Sequence, residues 1–190
     1  MRSPSSEKRR ASRGKAAGKP ALAKRSPSQQ SPRGLARRPT WREKLADDKG
    51  LPKVGNVDGK SARWGTGTMV IPAPREVDAL MQRIPRGKLV TIQELRQALA
   101  RKHRVDFACP ITTGIFAWIS AHAAAEGAAE GIRKTTPYWR TLRTGGVLNE
   151  KYPGGVEGVR ARLEAEGHDV IPRGKRWVVR DYEKRLVRKL

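Results

Sequence analysis

The sequence has 190 residues and is poor in cysteine, histidine, acidic residues and long apolar runs. Its one cysteine, Cys109, excludes a disulfide within the chain. The three histidines form no metal-ligand spacing with Cys109, so neither a metal site nor a cofactor is expected. No apolar run reaches about 18 residues, and the charged start lacks an apolar segment, so neither a membrane span nor a signal peptide is predicted. The expected location is the cytoplasm.

What the chain has in excess is positive charge. It carries 41 Lys and Arg against 18 Asp and Glu, a formal net charge of +23. Such a surplus favours a polyanionic partner, because each neutralised phosphate releases condensed counterions. Nucleic acid is the first expectation, and association with the nucleoid follows from it. Ribosomal association or an anionic membrane surface would also suit the charge, but no basic amphipathic helix supports the membrane.

The charge is concentrated in residues 1–40. This segment has 12 basic residues and one acidic residue, Glu7, and no aromatic residue precedes Trp41. It cannot bury enough apolar surface to offset its ordering entropy, so a disordered basic arm is predicted. Its pairs and triplets of basic residues suit contacts to the phosphate backbone that do not read the base sequence. A tail that only increases solubility is an equal alternative.

Two further segments follow the arm. Residues 41–68 are polar and punctuated by glycine, which predicts an irregular docking segment whose tryptophans, Trp41 and Trp64, serve as anchors more often than as base-stacking rings. Residues 69–190 are predicted to form the folded domain. Its first helix is expected from about Pro74 to Arg83, because apolar residues recur there at helical spacing.

Two more helices and a hairpin are predicted in this domain. Thr91 and Glu94 form a capping box before the second helix. A third helix should start at Thr112 or Thr113 and run to about Ala125, and it is the recognition-helix candidate. Its alanines and Gly114 would let the backbone approach a groove, but they equally suit tight helix packing. A basic hairpin turning at residues 172–175 is a plausible wing. The predicted fold is therefore mostly α with a small β-hairpin, of winged helix-turn-helix type.

Three motifs occur in the order found in one known family. Pro137-Tyr138-Trp139-Arg140 is followed by Tyr152-Pro153-Gly154-Gly155, and the turn from Ile84 to Thr91 precedes both. These motifs, over roughly residues 70–168, resemble the DNA-binding domain of the alkylguanine-DNA alkyltransferases (methylated-DNA-protein-cysteine methyltransferases). In that family the first motif is Pro-Cys-His-Arg, and its cysteine takes an alkyl group from guanine.

The chain departs from the family at the reacting residues. Tyr138 and Trp139 stand where the nucleophile and its base would be, and an indole cannot accept a proton. Ile92 stands at the place of the base-flipping tyrosine, and Thr112 or Thr113 at that of the arginine that fills the vacated stack. The chain therefore resembles the cysteine-less alkyltransferase-like branch, as a distant relative that lacks the histidine as well.

The resemblance implies a non-catalytic protein that binds double-stranded DNA, recognises alkylated guanine, and supports repair together with nucleotide-excision-repair proteins. A monomer is expected. The candidates for a lesion pocket are the residues of the two motifs: Pro137, Tyr138, Trp139, Arg140, Tyr152, Gly154 and Gly155. The candidates for DNA contact are the residues of the turns, of the helix starts and of the basic segment after the third helix: Arg86, Lys88, Thr91, Ile92, Thr112, Thr113, Gly114, Arg133, Lys134 and Arg143.

Two other functions remain open. A methyltransferase could have moved its nucleophile to Cys109, next to a helix start, with His103 as the nearest base in sequence. A lesion-indifferent nucleic-acid or nucleoid binder would need only the charge. Arg133, Lys134, Arg140 and Arg143 are interpreted as one basic cluster around the former reaction centre, with Arg140 also in a structural ion pair. Glu166, which matches the glutamate that orients the family's histidine, is interpreted as an ordinary charged residue.

Overall fold

The computed structural model describes residues 37–58 and 66–190, and these contain five α-helices and seven strands. The helices are α1 (Trp41–Ala46), α2 (Pro74–Gln82), α3 (Ile92–His103), α4 (Pro110–Ala129) and α5 (Gly155–Glu164). The strands are β1 (Lys53–Val57), β2 (Gly67–Ile71), β3 (Val90–Thr91), β4 (Phe107–Ala108), β5 (Thr141–Leu142), β6 (Val170–Arg173) and β7 (Arg176–Val179). Short 3-10 turns lie at Tyr138–Arg140 and Tyr182–Arg185. Within these residues, none of the helices has the length and apolarity that a membrane crossing requires.

The core lies where α2, α3 and α4 pack together. Val77 and Met81 on α2 and Leu95 and Leu99 on α3 are spaced by four residues, which places each pair on one helix face, and all four are fully buried. Alanines on α4 allow the helices to approach closely, and Ala121 is fully buried.

The second predicted helix, α3, begins where the sequence indicated. The Thr91 hydroxyl accepts a hydrogen bond from the Gln93 N–H at 3.1 Å, and the Glu94 carboxylate accepts one from the Thr91 N–H at 2.8 Å. The predicted capping box is therefore confirmed. The helix ends at Arg104, which adopts a left-handed backbone with φ of 55°.

The predicted limits of α4 were too narrow. The helix starts at Pro110 rather than at Thr112 or Thr113, because proline has no N–H to leave unsatisfied and its fixed φ suits the first helical position. It also continues to Ala129, beyond the expected end near Ala125, so that Gly127 lies within the helix. A side chain at Gly127 would press on Ile132, where an added Cβ would lie 3.2 Å from Cδ1.

The predicted hairpin is confirmed, but the described residues also contain two other sheets. Strands β6 and β7 pair antiparallel with Arg173 opposite Arg176, so that Gly174 and Lys175 form the turn. In a three-stranded sheet β2 pairs antiparallel with β1 and parallel with β4, and β3 pairs parallel with β5. The three-stranded sheet was not predicted from the sequence, because the side chains of β1 are mostly exposed and do not alternate between buried and exposed.

The prediction of an irregular segment at 41–68 was wrong for its described part, which contains α1, β1 and the start of β2. Thr40 and Glu43 form a capping box for α1, and Arg37 pairs with Glu43. Residues 37–40 therefore belong with α1 rather than with a disordered arm, and Arg37–Leu190 form one compact unit. The rest of the predicted arm, residues 1–36, and Trp64 lie outside the described residues.

Candidate nucleic-acid interface

Tyr138, at the place of the family's nucleophile, lies inside the core. It is 4% exposed, and its ring meets those of Trp139 and Tyr152 edge to face at centroid distances of 5.4 and 5.7 Å. Its hydroxyl donates a hydrogen bond to the Pro153 carbonyl oxygen at 3.2 Å. The phenol is therefore part of the packed core and ties the 3-10 turn to the loop before α5.

Glu166 is the polar centre of this region, which corrects its interpretation as an ordinary charged residue. Its carboxylate accepts hydrogen bonds from Trp139 Nε1 at 2.8 Å, from Arg140 Nε at 2.9 Å and from the Gly87 N–H at 3.1 Å. Burial alone would raise the pKa of Glu166, but the bonds from Arg140 and Trp139 outweigh it and hold this pKa below its usual range. Trp139 and Arg140 therefore tie the 3-10 turn to Glu166, which follows α5.

Arg140 faces inward and forms the predicted ion pair. Its Nη2 lies 2.8 Å from Glu166 Oε1, and its Nη1 donates to the Ile84 carbonyl oxygen at 2.6 Å. The Arg162 guanidinium covers Trp139, with its carbon 4.8 Å from the ring centroid. The Arg140 guanidinium therefore bonds to groups in the protein interior rather than to a phosphate.

The other lesion-pocket candidates are brought together here, but as a packed region. Pro137 and Tyr152 are buried, and burial raises the pKa of the Tyr152 phenol above its ordinary value. Gly154 caps α5 with φ of 82°, and an added Cβ would lie 3.1 Å from the Gly158 Cα, so glycine is needed there. Gly155 donates to the Tyr152 carbonyl oxygen. The sequence motifs therefore mark a closed centre.

Cys109 has a structural setting. It precedes α4, and its N–H donates to the Val70 carbonyl oxygen at 2.9 Å, which joins the helix start to β2. The expected base, His103, has its Nε2 3.0 Å from Glu76 Oε1, and that ring nitrogen is therefore engaged by α2. The part of the chain that the structure describes contains no group of three or more His, Cys, Asp or Glu that could hold a metal ion.

An open basic depression lies where the β6–β7 hairpin meets the loop after β5. Two adjoining cavities of about 460 and 340 Å³ share Thr144, Val147 and Arg176. We call this depression the wing trough and define it by its exposed cations and shared walls: Arg143, Thr144, Val147, Arg173, Lys175 and Arg176. Ile92 closes one end, and none of the lining residues is acidic. The local charge is therefore strongly positive.

An apolar groove runs along the first half of α4. This α4 groove, a cavity of about 390 Å³, has walls from the helix and from the loop after Leu148: Ile111, Gly114, Ile115, Trp118, Asn149 and Lys151. Ile111 and Ile115 are 51% and 45% exposed, unusual values for large apolar side chains on a helix. The Trp118 indole donates to the Lys151 carbonyl oxygen at 3.0 Å and so links the two walls.

Several predicted DNA contacts are placed differently from the expectation. Thr91 and Thr113 are buried, because the first caps α3 and the second donates to the Cys109 carbonyl oxygen at 2.7 Å. Both were wrong as side-chain contacts. Thr112 is partly buried and its hydroxyl oxygen has no partner among the described residues. Gly114 lines the α4 groove, and its close approach to a nucleic acid stays a prediction.

The remaining basic candidates do not form the single predicted cluster. Arg143 lines the wing trough beside Ile92, whereas Lys134 lines a separate cavity near α1 and the end of α2, and the neighbouring Arg133 is exposed. Arg86 donates to the Ala165 carbonyl oxygen at 2.9 Å, and Lys88 is exposed. The sequence could not separate these cations because Arg140, between them, turns inward.

Sequence reasoning missed most of the α4 groove and the trough residues on the hairpin. Of the residues that line this groove, only Gly114 was predicted to have a role. The signal was present in the helical spacing of Ile111, Ile115 and Trp118, which places them along one stripe. Their exposure is a tertiary property, since it depends on which face the rest of the fold covers.

The fold and surface define a small α and β domain with a basic trough beside an apolar groove. The chain is similar to two solved structures from S. pombe. One is Atl1 in complex with damaged DNA containing O6-carboxymethylguanine, at 17% identity, and the other is ATL in complex with DNA, at 18% identity. Each match has a TM-score of 0.44 and covers 60% of this chain and 94% of that chain. No family model and no curated protein matches the chain.

Proposed function

We propose that this protein binds double-stranded DNA without catalysing alkyl transfer, in the manner of the alkyltransferase-like branch that its motifs resemble. The observation that carries the proposal is the wing trough. Its four exposed cations, Arg143, Arg173, Lys175 and Arg176, have no carboxylate partner among the described residues. Cations left unpaired in one concave surface suit a row of phosphates.

The arrangement suits a winged helix-turn-helix, in which α3 and α4 are the paired helices and β6–β7 is the wing. The exposed start of α4 carries isoleucines instead of arginine or asparagine, so it offers little hydrogen-bonded base reading. We therefore assign affinity to the phosphates and selectivity to the α4 groove. Its volume of about 390 Å³ and its apolar walls suit a base that bears an alkyl group.

The lack of catalysis rests on the closed centre. Tyr138 is buried and bonded to Pro153, and Trp139 bonds to Glu166, so neither the nucleophile nor the base of the family has a substitute there. Support for repair through nucleotide-excision-repair proteins belongs to the same proposal, since a protein that marks a lesion without removing it needs others to act.

A paired titration tests the function. Duplexes that differ only in one O6-methylguanine are titrated at several salt concentrations, and the incubated protein is then weighed intact. We expect tighter binding of the alkylated duplex and an unchanged protein mass. Equal affinity for the two duplexes would leave a lesion-indifferent binder, and a stoichiometric mass gain that disappears in Cys109→Ser would establish a relocated nucleophile.

A further inference from the structure

The short helix α1 is held against α4 by contacts at its first residues. The Arg42 N–H donates to the Glu126 carboxylate at 2.8 Å, and Arg42 also pairs with Glu130. A six-residue helix is not stable by itself in water, so its place depends on these tertiary contacts. The negative charge of Glu126 beside the helix N-terminus is a favourable arrangement.

Trp41 fixes α1 to the middle of α4 through two rings. Its centroid lies 4.7 Å from that of Trp118 in an edge-to-face arrangement and 4.5 Å from that of His122 in a stacked one. Lys44 Nζ lies 3.9 Å from the centroid of the Trp41 ring. The indole is therefore surrounded by groups that restrain it, and it restrains Trp118 in return.

Trp118 and His122 meet the opposite wall of the α4 groove at a single atom. The indole Nε1 of Trp118 donates to the Lys151 carbonyl oxygen at 3.0 Å, and His122 Nε2 lies 3.1 Å from the same oxygen. Trp118 and Lys151 both line the groove. The separation of the two walls thus depends on the position of the Trp118 ring, and that position depends on Trp41.

We propose that Trp41 is a positioning residue of the α4 groove, which sets lesion selectivity through Trp118 without touching the DNA. The proposal rests on the proposed function, because selectivity has a meaning only if the groove receives a base. It separates general affinity from lesion selectivity in the N-terminal part of the chain. Residues 1–36, with 10 basic residues and one acid, add general affinity, whereas α1 adds selectivity.

Two variants of α1 separate positioning from simple anchoring. Trp41→Ala removes the ring that contacts Trp118, whereas Leu45→Ala weakens α1 at its other contact, beside Asp78 and Gln82. We expect Trp41→Ala to reduce the ratio of affinities for alkylated and plain duplex by about fivefold or more, a stacking-sized effect, and Leu45→Ala to leave it unchanged. Trp41→Phe, which keeps a ring, should retain most of the ratio.

A measurement made without DNA tests the positioning role of Trp41 separately from the proposed DNA-binding function. The Trp118 indole proton is bonded to Lys151, and it should exchange with solvent faster in Trp41→Ala than in the wild type, but not faster in Leu45→Ala. If wild-type protein shows no lesion preference while this difference is present, the proposed function fails and the positioning of Trp118 stands. If exchange and the affinity ratio are the same in both variants, the proposal is overturned.

Deleting residues 1–36 provides the complementary control, since Trp41 remains. The truncated protein should bind both duplexes more weakly by a similar factor and with a smaller salt slope, at an unchanged ratio. A truncated protein that loses the lesion preference would place selectivity in the arm and contradict the assignment to Trp41.

Discussion

The closed centre around Glu166 and the α4 groove share one stretch of chain, residues 149–155, and differ in how their side chains are covered. In the centre, Glu166 accepts three kinds of donor, and Tyr138 is hydrogen-bonded to Pro153. In the groove, large apolar side chains face solvent, with Ile111 and Ile115 about half exposed. A buried centre whose charged groups are paired stabilises the fold, and a surface with uncovered apolar side chains is available to a ligand.

The centre and the wing trough also differ in how their charged side chains are paired. Arg140 in the centre is paired with Glu166, whereas Arg143, three residues later, is exposed in the trough. The centre around Glu166 is packed and ion-paired, whereas the cations of the proposed DNA-binding surface are exposed in the trough. Substitutions in the two regions should consequently have different phenotypes.

The largest effect is expected from breaking the buried ion pair. Glu166→Gln leaves the Arg140 guanidinium without its charge partner, with side chains only 6% and 14% exposed, and should cost about 3 to 5 kcal/mol of unfolding free energy. Chemical denaturation measures this cost. Glu164→Gln is the matched control, because the Arg160 pair is far more exposed and should contribute little to stability. Equal losses in the two variants would show that Glu166 is not the centre of the cluster.

Removing the Tyr138 ring tests whether it fills the core or contacts a bound base. The ring is almost wholly buried, so Tyr138→Ala should lower the unfolding free energy by about 3 kcal/mol or more, as aromatic truncations in cores do. Affinity for alkylated and plain duplex, measured where the variant is folded, should change alike. A selective loss for alkylated duplex with unchanged stability would instead make Tyr138 part of the lesion pocket.

Neutralising the wing trough should reduce binding without destabilising the fold. In Arg143→Gln with Arg176→Gln, two phosphate contacts are lost, and the slope of log affinity against log salt should fall by about 1.8. Both side chains are exposed, so the unfolding free energy should stay within about 0.5 kcal/mol of the wild type. Arg75→Gln on α2 is the control and should keep more of the slope. An unchanged slope in the double variant would remove the trough from the interface.

The smallest predicted effect concerns pH. Burial lowers the pKa of His168 below its ordinary value of 6.5, although Glu166 nearby opposes this, and neither ring nitrogen has a partner among the described residues. The unfolded chain then binds a proton more readily than the folded one, so stability is full above about pH 6.5 and is lost as the pH falls towards the lowered value.

Denaturation at pH 7.5 and pH 5.5 measures this loss, and His168→Phe should reduce the difference between the two pH values. Glu166, whose pKa is also lowered, contributes stability that is lost only at more acidic pH, below its ordinary value of 4.5. The same pH dependence in wild type and His168→Phe would mean that the ring is not protonated on unfolding in that range.

The sequence alone predicted those features whose physical cause is local. The capping box of α3 involves residues three positions apart, and the β6–β7 hairpin is closed by a short turn at Gly174. The absence of the family's cysteine and histidine was likewise read directly from Tyr138 and Trp139. The positive charge of the chain needs no structure either, because it is a count of residues.

The tertiary structure decided the roles that depend on distant partners. Glu166 is a structural centre because Gly87, Trp139 and Arg140 meet it, and these lie 26 to 79 residues away in the chain. Trp41 became a candidate positioning residue only because α1 lies on α4, 77 positions from Trp118. Composition fixes how much charge and apolar surface a chain has, but only long-range packing determines which of it is paired, buried or left open.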